Sequence, residues 1–111
     1  MFKLFNSFLN ALLGRVEYQV IVIGYDKKEI TEFLNKVVKS SMPTEFNNAN
    51  IIKFQKDTVM IICAYYPTCV SQQTIAKLTT QMDNNIHTDV YILKSQSKYM
   101  HLKNVSIYYV D

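Results

Sequence analysis

Three runs of this chain are apolar at every consecutive position: Val20-Ile21-Val22-Ile23, the six residues from Val59 to Ala64, and Val90-Tyr91-Ile92-Leu93. Side chains on a β-strand alternate between the two faces of a sheet, so a strand half in water reads apolar, polar, apolar. Runs without that alternation belong to strands buried on both faces. Their β-branched and aromatic content favours strand over helix. Whatever sheet the chain builds, both of its faces need a cover.

The rest of the sequence supplies the element order. Residues 2–13 read as an amphipathic helix, with Phe2, Leu4, Phe5, Phe8, Leu9, Leu12 and Leu13 on one broad face and Gly14 as its stop. A strand is expected over 16–25. It begins with alternation, Val16 and Tyr18 on one face and Glu17 and Gln19 on the other. Asp26 is placed to cap a helix, with Glu29 three residues later in capping-box position. Ile30, Phe33, Leu34, Val37 and Val38 form its apolar stripe, and Ser40, Ser41 and Pro43 end it.

After a polar connection at 43–49, strands are expected at 50–56 and 58–66, joined by a tight turn near Asp57 as an antiparallel hairpin. Pro67 stops the second strand. Thr68 or Ser71 caps a helix over about 71–86, striped by Ile75, Leu78, Met82 and Ile86. A strand at 88–94, an ambiguous basic stretch at 95–103 and a strand at 105–110 complete the chain.

The first six elements after the N-terminal helix follow the β-α-β-β-α-β order of the ferredoxin-like, split βαβ pattern. The expected fold is therefore α+β: a ferredoxin-like sandwich over 15–111, with an amphipathic helix at 1–14 and an extra C-terminal strand. In that arrangement both helices lie on one sheet face, leaving the other bare. An exposed face of this composition exceeds the few hundred Å² of apolar patch usual on a monomer. The helix at residues 2–13, a second copy or another macromolecule would have to cover it.

Composition narrows the functional classes. The chain has 111 residues, 49% apolar and 19% charged, which fits one domain with a core and argues against disorder. No run of eighteen apolar residues occurs, and the apolar N-terminus lacks a small-residue cleavage site, so a cytoplasmic protein is expected. The net charge of +3 is only mildly basic, and Arg15 is the sole arginine, which counts against sequence-specific nucleic-acid binding. Cys63 and Cys69 form no CxxC pair or disulfide framework and read as reduced thiols. The wealth of Asn, Ile, Lys and Tyr without Trp resembles the coding bias of AT-rich phages and viruses.

Chemical motifs are few. His87 and His101 have no metal-ligand spacing to each other or to either cysteine, and glycines at 14 and 24 alone leave no phosphate-binding loop, so neither metal nor cofactor is expected. A Ser/His/Asp or Cys/His set can be composed on paper, but no spacing singles one out. Gly24-Tyr25-Asp26 resembles the strand-end aspartate of the CRISPR-associated, VapD-like ferredoxin-fold nucleases. That resemblance implies a divalent metal held by one Asp26 from each subunit of a dimer. The family's later serine- and phenylalanine-bearing strand motif is missing here, and no arginine follows the aspartate, so helix capping is the preferred role of Asp26. The strands lack the RNA-recognition-motif signature, with aliphatic residues at the inner positions.

Two surfaces remain. Phe2, Phe5, Phe8, Leu9 and Leu12 form an apolar face suited to a protein interface; a peripheral membrane anchor is a weaker alternative, since Lys3 and Arg15 supply little attraction to anionic lipid. Lys94, Lys98, Tyr99, His101 and Lys103 form a basic, aromatic segment that a nucleic acid could use. The leading expectation is a non-catalytic protein-binding or assembly module, a homo-oligomer or a phage or viral accessory protein engaging a host factor. Nucleic-acid binding is the alternative, and a metal-dependent nuclease centred on Asp26 comes third.

Overall fold

The computed structural model describes residues 15–94 and 102–111. The expected helix at 2–13 and most of the stretch 95–103 lie outside the described residues. The elements are β1 (Tyr18–Gly24), α1 (Lys27–Val37), a 3-10 turn (Thr44–Asn48), β2 (Ile51–Lys56), β3 (Val59–Tyr65), α2 (Gln72–Thr79), β4 (Thr88–Leu93) and β5 (Val105–Val110). They form one mixed five-stranded sheet in the order β2-β3-β1-β4-β5.

Strand direction departs from expectation. β1 runs parallel to both β3 and β4, and β4 runs parallel to β5; only the hairpin partner β2 is antiparallel. Parallel neighbours need crossover connections. The β1–α1–β3 crossover moves one way across the sheet, and the β3–α2–β4 crossover returns past β1 to its other side. Crossovers share one hand, so opposite directions of travel put their helices on opposite faces. α1 contributes Ile30 and Leu34 to a core with Val20, Val22, Ile61 and Cys63. α2 contributes Ile75 and Leu78 to a second core with Ile21, Ile23, Ile62, Ala64, Val90 and Ile92.

This corrects the ferredoxin-like expectation, in which both helices share a face. It also explains the sequence feature that prompted the search for a cover. The central strands are apolar at every position because each face carries its own helix. Gly24 lies under the first turn of α1, where a Cβ would meet Ile30 Cγ1 at 2.9 Å.

Local chemistry sets the helix ends. Asp26 caps α1 by accepting from Lys28 N at 2.9 Å, and Ser71 caps α2 by accepting from Thr74 N at 3.2 Å. Glu29, expected in a capping box, instead accepts from Lys94 Nζ at 2.5 Å. α2 stops at Thr79, well short of the expected 86. The Thr79 and Thr80 hydroxyls donate to the Ala76 and Lys77 carbonyls, and Asp83 Oδ1 accepts from Asn85 N in a side-chain turn. Such side-chain bonds compete with helix continuation. Of the two stripe residues beyond the helix end, Met82 is buried in the α2-side core, whereas Ile86 is only half-buried. The polar connection at 43–49 hides a core residue: Phe46, in the 3-10 turn, is 1% exposed and packs with the α1-side cluster.

Candidate functional site

α1 lies over β1 and β3, so its face of the sheet is less covered toward β4 and β5. Period-two geometry decides what shows there. Asp89, Tyr91 and Leu93 of β4 share that face and stand in register with Ser106, Tyr108 and Val110 of β5. Tyr91 stacks on Tyr108, with ring centroids 5.1 Å apart and planes 21° apart, and Phe33 of α1 meets the other side of Tyr91 at 5.1 Å. Tyr108 is 46% exposed and Tyr18 is 37% exposed. The result is a row of aromatic rings running from α1 to β5, the outermost strand on that side among the described residues.

The foot of this row is polar. Tyr18 donates its hydroxyl to Asp89 Oδ2 at 2.5 Å, Asp89 Oδ1 lies 3.3 Å from His87 Nε2, and His87 Nε2 lies 2.8 Å from Ser106 Oγ. Burial, reinforced by the bond to Asp89, raises the Tyr18 hydroxyl well above its ordinary pKa, so it stays a neutral donor. Ser106, His87 and Asp89 thus meet in space, yet their geometry is not that of a relay. A serine and a carboxylate working through one imidazole engage opposite ring nitrogens. Here both lie nearest the same nitrogen, Nε2, so the three groups do not form a serine–imidazole–carboxylate relay.

The carboxyl ends of the parallel strands are where doubly wound sheets bind ligands. Lys27, Tyr25, Asp26 and Tyr65 cluster there. Their charges are largely committed. Lys27 Nζ donates to the carbonyls of Phe46 at 2.9 Å and Asn47 at 3.2 Å, over the Phe46 and Tyr65 rings. Lys94 is paired with Glu29, which raises its pKa. Asp26 serves its helix. Cys69 is exposed at this end and accepts from the Tyr25 hydroxyl at 3.7 Å. Burial pushes the Cys63 thiol up to about 12, inside the α1-side core.

Of the basic segment, Lys94 and Lys103 are described, while Lys98, Tyr99 and His101 are not. Lys94 follows the end of β4 and Lys103 precedes the start of β5. Because the two strands are parallel and in register, these lysines sit at opposite ends of the sheet, roughly 20 Å apart for six residues at ~3.3 Å each. The apolar face at Phe2, Phe5, Phe8, Leu9 and Leu12 lies outside the described residues.

Among the described residues, no three His, Cys, Asp or Glu side chains converge to hold a metal ion, and no helix is long and apolar enough to cross a membrane. The Tyr18-Asp89-His87-Ser106 foot escaped sequence reasoning. Its one signal was Asp89, an acid inside an otherwise apolar strand. No family model, curated protein or solved structure matches this chain.

Proposed function

We propose that this chain is a non-catalytic protein-binding or assembly module, and that its contact surface is the β5 edge together with the aromatic row behind it. The carrying observation is the state of that edge. Among the described residues β5 is an outer strand of the sheet, and Val105-Ser106-Ile107-Tyr108-Tyr109-Val110 contains no charge, proline or glycine. Soluble proteins ordinarily guard such edges with lysines, prolines or bulges. The opposite edge follows that rule, for β2 carries Lys53 and Lys56. A strand of this uncharged, aromatic composition fits partner binding by strand addition, in which backbone bonds give affinity and alternate side chains give selectivity.

The Tyr108 ring adds what such a contact needs at its centre, a large and already positioned aromatic. The nucleic-acid alternative draws less support, since its two described lysines are separated by the length of a strand. The nuclease alternative draws less still, since Asp26 is engaged in capping.

Photo-crosslinking tests this reading. A benzophenone amino acid at position 108 should yield protein adducts when the chain is made in its own cells, and the same group at the exposed Glu45 should not. Adducts to nucleic acid, or equal adducts from both positions, would contradict it.

A further inference from the structure

We infer that residues 1–14 of this chain lie across the α1-side face of β4 and β5, as a cover over the aromatic row that a protein partner must displace. The covering contact stands by itself; its gating role rests on the protein-contact reading of the same surface.

The face is laid out for one more helix. Among the described residues the helix on this side is α1, which sits over β1 and β3. Beside it Tyr91 and Leu93 of β4 share the face, in register, with Tyr108 and Val110 of β5, and Tyr108 is 46% exposed. Parallel sheets ordinarily carry helices over the whole of both faces.

Two stretches of chain lie outside the described residues, and topology separates them. The step from β4 to β5 crosses the sheet in the same direction as the step from β3 to β4, between strands that all run parallel. Crossovers share one hand, so the β4–β5 connection belongs on the α2 side. Leu102, near the end of that connection, packs with the α2-side core, as the rule requires. Residues 1–14 are the segment left for the α1 side.

Length and position fit. The segment enters the sheet at Tyr18, which stands on the α1 side at the foot of the row and donates to Asp89 of β4. Gly14 is placed to reverse the chain. A helix over 2–13 measures about 18 Å, against roughly 20 Å for the six residues of β4 or β5. Descending over these strands into β1, it runs antiparallel to them, as crossover helices do.

The chemistry fits as well. Phe2, Phe5, Phe8, Leu9 and Leu12 give the segment an apolar arc to set against the row. The descent brings Lys3 to the upper end of the face, beside a hollow lined by Phe33, Leu93 and Val110. Glu29, Glu32 and Asp111 stand there with Lys36 and Lys94. Glu29 is paired with Lys94, so the remaining balance is acidic and complements Lys3.

Paramagnetic broadening tests the cover in the full chain carrying Cys69→Ser. Ser7 falls on the polar side of the segment, so a spin label on Ser7→Cys spares the contact. The label should remove the amide signals of Tyr91 and Tyr108 and leave those of Ile75 and Leu78, on the opposite face, sharp. Adding Phe5→Ser with Phe8→Ser should restore the lost signals. In a mixture of spin-labelled chains with isotope-labelled chains that carry no spin label, all four signals should persist. Broadening in that mixture equal to that within one chain would make a second copy the occupant and overturn the inference. Tyr91 and Tyr108 signals as sharp as that of Ile75 within one chain would overturn it too. The gate has its own readout: with Phe5→Ser and Phe8→Ser, benzophenone at position 108 should capture more protein in cells than it does in the otherwise wild-type chain. Capture that does not rise overturns the gate. If position 108 captures no protein in either chain, the contact reading fails while the cover is judged by the broadening alone.

Discussion

Gln19 and Asp83 pair as two peptide groups would: Gln19 Oε1 accepts from Asp83 N at 2.8 Å, and Gln19 Nε2 donates to Asp83 O at 3.1 Å. The same amide nitrogen also reaches Ile86 O at 3.1 Å and Thr88 Oγ1 at 2.9 Å. Gln19 is 2% exposed, so a side chain that reads as solvent-facing in an alternating strand fastens the 83–88 turn to the start of β1. Gln19→Leu would leave the part-buried Asp83 amide without its acceptor and the buried Thr88 hydroxyl without its donor. The expected loss is roughly 1–3 kcal/mol, measured by urea denaturation. A change within 0.5 kcal/mol would show that the turn is held by other means.

Lys39 follows the last turn of α1 with φ of 54°, in the left-handed region that favours glycine. Its side chain is exposed. Lys39→Gly should therefore stabilise the fold by about 0.5–1 kcal/mol, because the strain of a β-carbon at that angle is relieved. Thermal unfolding at fixed pH checks this, and a lowered midpoint would contradict it.

Strand positions were legible in the sequence because β-branched runs and the Asp57 turn mark them within two residues. Helix placement was not. Whether α1 and α2 share a face depends on strand direction, and direction depends on where the chain returns across the sheet, which no local pattern records. The apolar excess was read correctly as a demand for cover on both faces, but the cover was sought outside the two helices. Phe46 escaped because a polar stretch surrounds it. The meeting of His87 with Ser106 escaped because it requires β4 and β5 to be parallel in one particular register.

The two thiols should differ sharply. Cys69 is exposed and should react promptly with a thiol reagent at pH 8, whereas Cys63 should react only on unfolding. Burial raises Cys63 from 9.0 to about 12 in the folded state. A group held above its unfolded pKa gives stability that is fully present below the unfolded value and is lost as pH rises toward the folded one. Stability should thus decline from about pH 9 upward by about 1.4 kcal/mol per pH unit for this proton. Tyr18 and Tyr66, both raised chiefly by burial, add to the loss above about pH 10. Denaturant midpoints between pH 8 and 11 should fall less steeply in Cys63→Ala than in the wild type. An identical pH profile in the two proteins would contradict the assignment.

Asp26→Ala removes the acceptor for Lys28 N and should cost about 0.5–2 kcal/mol. Divalent metal should leave the unfolding midpoint of the wild type unchanged, as expected if this carboxylate serves α1 alone. Metal-dependent RNA or DNA cleavage by the wild type, lost in this variant, would overturn the capping role and favour the nuclease.

The exchange rate of the Ile107 amide tests the role of the β5 edge most directly. Its backbone points away from β4, so in dilute solution, about 1 µM, it should exchange within about tenfold of an unstructured amide, while Ile21 in the central strand stays protected. In complex with a protein partner, another copy or a different protein, Ile107 should slow by about tenfold or more as the edge is covered. An Ile107 rate that is the same with and without the partner would contradict binding through this edge.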